Sequence, residues 1–197
     1  MNIQKELIKL FKIRTEDMVP PSVGKNKPTR DDLADAFGKL DFKYGAEIGV
    51  RKGHFSIKLL KAMGNGKLIL VDPWRAYEKK SDKVVEGFYQ SMLRRLSEFE
   101  NNIIIKRMTS MDAVKDVEDE SLDFVYIDGM HDFDNVAMDL INWSPKVKKG
   151  GVVSGHDYCN GPNFGVIDAV NSYTRCHNIK TWYITTEVIA SWFFVKK

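Results

Sequence analysis

The chain has 197 residues, 43% of them hydrophobic and 29% charged, with a net charge of +3 and a pI of about 8.7. These proportions fit one folded domain with an ordinary core and exclude a disordered chain. No apolar run approaches the roughly 18 residues that span a membrane, and no dense Lys/Arg stripe marks a nucleic-acid binder.

The N-terminal stretch is broken by Lys5, Glu6, Lys9 and Lys12, unlike a secretion signal. With only Cys159 and Cys176, a cytoplasmic chain with reduced thiols is expected. Gln4 to Ile13 sets Leu7, Ile8, Leu10 and Phe11 on an apolar helical stripe. Met18 to Pro28 holds three prolines and a glycine and reads as a loop, and Thr29 then caps a helix through Leu33, Ala36, Phe37 and Leu40. Residues 1–42 thus read as a helical segment and linker, a lid or an oligomer contact, ahead of a domain spanning 43–197.

From Lys43 short β-rich runs alternate with longer amphipathic ones. The strands expected are Tyr44–Gly49, Lys67–Asp72, Asn102–Lys106, Leu122–Asp128, Gly151–His156, Lys180–Thr185 and Ser191–Lys196. Helices fill the gaps at His54–Met63, Lys83–Phe99, Met111–Val117, Asn135–Trp143 and Phe164–Cys176. Such alternation implies right-handed βαβ units, a mostly parallel α/β sheet and helices on both faces. The short Thr186–Ala190 connection predicts a hairpin, hence one antiparallel strand near the C-terminus.

Ligands of such sheets bind outside the carboxyl ends of the strands, so the residues there are the candidate site. The first strand opens into Glu47-Ile48-Gly49-Val50-Arg51-Lys52-Gly53. Gly49 and Gly53 suit a tight turn with close backbone approach. The acid inside the turn repels a pyrophosphate and suits an ammonium or sulfonium. The second strand ends in Asp72, placed to accept ribose hydroxyls, and Trp74 follows as a candidate adenine platform. Ser110 reads either as a helix N-cap or as a contact at the adenine end. Asp128, His131, His156 and Asp157 converge at the fourth and fifth strand ends.

The ordered set Glu-x-Gly-x-x-x-Gly, VDPW, IDGMH and GGVVSGHDY resembles a class I S-adenosylmethionine (SAM)-dependent methyltransferase of seven-stranded Rossmann-like fold. Within it, Ile127 to Tyr158 is most similar to the group of macrocin-type and cephamycin-type O-methyltransferases. The resemblance covers about residues 43–197. It implies SAM bound by Glu47, Gly49, Gly53 and Asp72, with Ser110 and Asp128 near its adenine and methionine ends. Arg51 stands where members often have glycine.

The implied reaction is methyl transfer to a hydroxyl of a small-molecule or sugar-type acceptor. The alternatives are N-methylation, a non-catalytic SAM-binding module, or a nucleotide-linked oxidoreductase that the Glu47–Gly53 turn disfavours. Two devices for activating the acceptor stay open. Asp128 and Asp157 resemble the Mg2+-binding acids of cation-dependent O-methyltransferases, although Tyr158 replaces the asparagine of the catechol-type enzymes. His131 or His156 instead serves as general base. No nucleic-acid or membrane partner is expected, and a homo-oligomer is open.

Overall fold

The computed structural model describes residues 2–11, 22–23, 28–77 and 79–197. The C-terminal halves of its βα units set the site, so the strands come first. They are β1 (Ser22–Val23), β2 (Tyr44–Ile48), β3 (Lys67–Val71), β4 (Ile103–Lys106), β5 (Leu122–Ile127), β6 (Val147–Tyr158), β7 (Tyr183–Ile184) and β8 (Ala190–Val195). Their order across the sheet is β1-β7-β8-β6-β5-β2-β3-β4. All neighbours are parallel except β8, which runs antiparallel to both β6 and β7.

The seven expected strands are all present, with the expected C-terminal hairpin. The difference is β1, which lies inside the stretch expected to be a loop and pairs with β7 at Ser22↔Tyr183 and Val23↔Ile184. A short edge strand leaves unpaired backbone groups, and this two-residue segment covers those of β7. The rest of that stretch up to residue 27 lies outside the described residues, as does the C-terminal end of the expected Gln4–Ile13 helix.

The period-two alternation of the strands explains the layers. Leu68, Leu70, Phe124 and Tyr126 face one core; Ile69, Val71, Val125 and Ile127 face the other. The first core is covered by α2 (Arg30–Lys39), α3 (Ser56–Met63) and α4 (Asp82–Arg95). The second is covered by α5 (Ser110–Ala113), α6 (Phe133–Trp143) and α7 (Val166–Cys176). Helix α2 begins with the expected Thr29 cap, completed as a capping box by Asp32.

The N-terminal helix α1 (Ile3–Leu10) joins the first core. Leu7 and Phe11 are buried, and the Phe11 ring lies 5.1 Å from that of Phe193 on β8. A helix this short is marginal alone, so its packing on this core, with Ile3, Ile8 and Leu10 beside the two buried residues, holds it. Phe11→Ala is expected to lower the unfolding free energy by about 3 kcal/mol in urea denaturation. An unchanged midpoint and slope would show α1 undocked in solution.

Candidate active site

Strand order reverses at β2, which lies between β3 and β5, and the turn after β2 is the tightest part of the edge. Gly49 has φ +90°, and its amide donates to the Val71 carbonyl at 2.8 Å. A Cβ on Gly49 would stand 2.0 Å from the Asp128 carbonyl oxygen, so no other residue fits there. Gly53 has φ +71°. Arg51, at the position where the similar methyltransferases often carry glycine, has φ +53°. The turn therefore keeps a glycine-like shape, at the modest steric cost of a side chain in the left-handed region.

Asp72 follows β3 and braces this turn. Its carboxylate accepts the Arg51 amide at 2.9 Å and the Trp74 amide at 2.8 Å. Each oxygen keeps a second acceptor direction. Burial raises the Asp72 pKa, against the pull of those two amides. Trp74, expected to offer a face to an adenine, is instead buried: its indole N–H donates to the Arg51 carbonyl at 2.8 Å and its ring packs on Tyr89. Its role in this structure is to hold the glycine turn.

Glu47 points into the first core at 2% exposure, with one oxygen accepting the Ser56 hydroxyl at the start of α3. Burial pushes its pKa up to about 8, against the opposing hydrogen bond from Ser56.

The ends of β5 and β6 bring the other expected residues together. His131 Nε2 lies 3.0 Å from Asp157 Oδ2 and 3.9 Å from Asp128 Oδ1. His156 Nδ1 lies 3.2 Å from the same Asp157 oxygen and 3.9 Å from Asp128 Oδ1. Strand alternation would send residues 156 and 157 to opposite faces. Asp157 escapes this because its φ is +58°, within the register shift that β6 makes against β8 between Gly155 and Tyr158. The loop after β6 closes the outer side: Phe164 packs 5.0 Å from the His131 ring, and the Gly165 amide donates to the His131 carbonyl.

The carboxylates of Asp128 and Asp157 push the His131 imidazole up to about 9. Burial raises Asp128. Burial alone would raise Asp157 too, but His131 and His156 hold it well below the usual carboxylate range. One ligand atom from each of Asp128, His131 and Asp157 lies within 4.8 Å of the other two. Ligands around a small divalent cation stand about 3 Å apart when bonded at about 2.1 Å, so modest side-chain rotations suffice and the trio fits such an ion. An imidazole beside two carboxylates suits Mn2+ or Zn2+ at least as well as Mg2+.

Ser110 does not cap α5; Thr109 does, accepting the Asp112 amide at 3.2 Å. Ser110 instead bears on Asp139, a residue that sequence reasoning passed over. Burial raises Asp139 to about 6 against a hydrogen bond from Ser110, and Oδ1 has no partner among the described residues. The signal was available: Val136, Asp139, Leu140 and Trp143 form one buried stripe of α6, in which a carboxylate is out of place. Arg30, also passed over, brings its guanidinium to 3.9 Å from Asp128.

The fold and site are those of a doubly wound α/β protein whose ligand edge carries acids in place of a phosphate-binding fingerprint. A family model described as a methyltransferase domain matches residues 46–158, more than half of the chain. The chain belongs to that methyltransferase family. A curated relative, the uncharacterized protein y4gI of Sinorhizobium fredii, is 28% identical over 115 residues, covering 56% of this chain. The chain spans only about an eighth of that relative, since the match covers 12% of its length. Among solved structures, the O-methyltransferase TomG of Streptomyces achromogenes in complex with SAM is similar with TM-score 0.61 and 14% identity, over 100% of this chain and 90% of that one. The O-methyltransferase of Bacillus cereus in complex with S-adenosylhomocysteine gives TM-score 0.63 and 11% identity, over 99% and 90%. At these identities the likeness is one of fold.

The raised Glu47 pKa makes a prediction. A buried acid whose folded pKa exceeds its unfolded value of 4.5 contributes stability that is whole below 4.5 and lost as pH rises through about 8. Glu47→Gln removes this loss. Its melting temperature, relative to the wild type, is expected to be higher at about pH 9 than at about pH 5. An equal difference at both pH values would rule out a burial-driven shift.

Proposed function

We propose that this chain transfers a methyl group from SAM to a hydroxyl of a small, non-nucleic acceptor. The observation that carries this reading is the contact of two sites. The Gly49 backbone lies against the Asp128 carbonyl, so the glycine turn and the Asp128–His131–Asp157 trio share one cleft. When bound, SAM supplies an already activated methyl group. The chain's own tasks are to bind, to align and to take a proton.

Asp72 is the acceptor for ribose hydroxyls, with Ser110 toward the adenine end. Glu47 and Asp128 offer negative charge to a ligand bearing ammonium and sulfonium groups. The same acidity disfavours a polyanionic acceptor such as nucleic acid. The similarity of Ile127–Tyr158 to macrocin-type and cephamycin-type enzymes, and two structural neighbours named as O-methyltransferases, favour oxygen over nitrogen as the target.

For the proton, Asp128, His131 and Asp157 would hold a divalent cation that lowers the pKa of the acceptor hydroxyl. The convergence of two carboxylates on one imidazole favours this over a metal-free base. The carboxylates raise His131 to about 9, so either route uses the imidazole only after it has given up that proton. In the metal-assisted version both carboxylates and the neutral imidazole are used as ligands.

The test begins with mass spectrometry of the protein with methyl-labelled SAM and a metabolite pool, which names the acceptor. Label in no product, together with no calorimetric binding of SAM, would end this reading. With the acceptor in hand, EDTA is expected to abolish turnover and Mn2+ or Mg2+ to restore it. Asp157→Asn should cut turnover roughly a hundredfold or more, as loss of a ligand to a catalytic ion does, yet leave SAM affinity within about twofold. Activity that survives EDTA and rises with pH toward 9, and that falls in His131→Ala, would replace the metal with a histidine base.

A further inference from the structure

We propose that Arg30 is the anchor for the α-carboxylate of the methyl donor, an assignment that rests on the SAM reading above. The donor is a zwitterion at its methionine end, with a sulfonium besides. Of the acids at the strand edge, Glu47 and Asp128 complement its positive groups and Asp72 its ribose hydroxyls. Its one anionic group needs a cation at the same end of the cleft.

Arg30 is the first residue of α2, in the segment that carries no recognisable motif. Its guanidinium reaches across to the end of β5, where Nη1 stands 3.9 Å from Asp128 Oδ2. The same guanidinium lies over the Phe55 ring, with its carbon 5.3 Å from the centroid. Phe55 follows the glycine turn and stands at the N-cap position of α3, so the cation lies beside the turn itself. The guanidinium also hydrogen-bonds the buried Tyr126 hydroxyl, while Asp128 at 3.9 Å lies beyond hydrogen-bond reach, so these two neighbours do not saturate the five-donor fork. An arginine fork matches a carboxylate in two parallel hydrogen bonds, which a lysine cannot reproduce.

The backbone under Arg30 is fixed from outside its own helix. Glu187, on the connection between β7 and β8, accepts the Arg30 amide at 2.9 Å and the Thr185 hydroxyl at 3.0 Å. Beside it the Thr186 amide donates to the Pro28 carbonyl at 2.7 Å. Thr29 and Asp32 close the capping box on the other side. The side chain is therefore presented from a braced helix start, at 34% exposure, with Tyr126 and Asp128 on its inner side.

The experiment compares two thioethers that differ only in the carboxylate: S-adenosylhomocysteine and S-adenosyl-3-thiopropylamine. Calorimetry is run on the wild type, Arg30→Met, which keeps the stem packing on Phe55, and Arg30→Lys. The wild type is expected to prefer S-adenosylhomocysteine. Arg30→Met should weaken that ligand by roughly tenfold or more, the loss typical of a charge-assisted pair, and leave the thiopropylamine within about twofold. Arg30→Lys should fall between, again for the carboxylate-bearing ligand alone, and it decides the matter should Arg30→Met unfold. Equal weakening of both ligands would make Arg30 a structural brace, and no weakening of either would remove it from the site; both outcomes overturn the assignment while leaving the SAM reading intact. A wild type that binds neither ligand would instead overturn the SAM reading itself.

Discussion

The site depends on one backbone contact. Strands β2 and β5 are neighbours only because strand order reverses between them, and their exit loops must pass each other at the sheet edge. The Asp128 carbonyl takes the space that a Cβ of residue 49 would fill, so Gly49 is fixed by sterics before any ligand is considered. The Asp128 amide in turn donates to the Ile48 carbonyl at 2.7 Å, and the Gly49 amide to Val71. Three strands are thereby locked in register at the point where the glycine turn and the acidic trio meet. A substitution that pushed these loops apart would separate the two halves of the site, which is why the glycine acts on geometry more than on flexibility.

Backbone strain gathers on the same edge. Arg51, Trp74 and Asp157 all carry positive φ without being glycine, and each conformation costs of order 1 kcal/mol or more. In each case the surroundings hold the strained residue. The Arg51 amide and the Trp74 amide converge on the Asp72 carboxylate, and the Trp74 indole returns to the Arg51 carbonyl. Asp157 is held by His131 and His156. The strained turns thus fix two carboxylates, Asp72 and Asp157, at the ends of different strands. They are anchored by different elements, Asp72 by the turn after β2 and Asp157 by His131 and His156 at the ends of β5 and β6.

Much of this was legible in the sequence, and the reasons differ by element. The βα alternation and strand-end motifs follow from local periodicity and turn chemistry, and the structure repeats them from Tyr44 to Val195. Convergence of Asp128, His131, His156 and Asp157 follows from parallel topology, which brings all the strand ends to one edge. The burial of Trp74 was not legible, because it comes from packing against Tyr89 of α4, a contact distant in sequence. Strand β1 was illegible because two residues carry no periodicity, and its pairing is set by the open edge of β7. Arg30 was hidden in an amphipathic helix start, where a basic residue reads as solvated, and only its long-range approach to Asp128 distinguishes it.

The electrostatics of the empty cleft indicate what it is built to receive. Burial raises the pKa of Glu47, Asp72 and Asp128 alike, so the folded chain holds three acids in surroundings that disfavour their ionised forms. Well-packed apolar residues there would give a more stable protein. A cationic ligand reverses the sign of the problem: a sulfonium or ammonium near Glu47, or a divalent ion at Asp128 and Asp157, favours the carboxylate over the acid. The desolvation that weakens the empty protein therefore strengthens its attraction for those charges, because the same low-dielectric surroundings magnify the new ion pairs. Arg30 and His131 already bring positive charge to Asp128 from two directions. Glu47, by contrast, has a hydroxyl as its hydrogen-bond partner. Burial pushes that acid up to about 8, so a cation beside it would favour its ionised form.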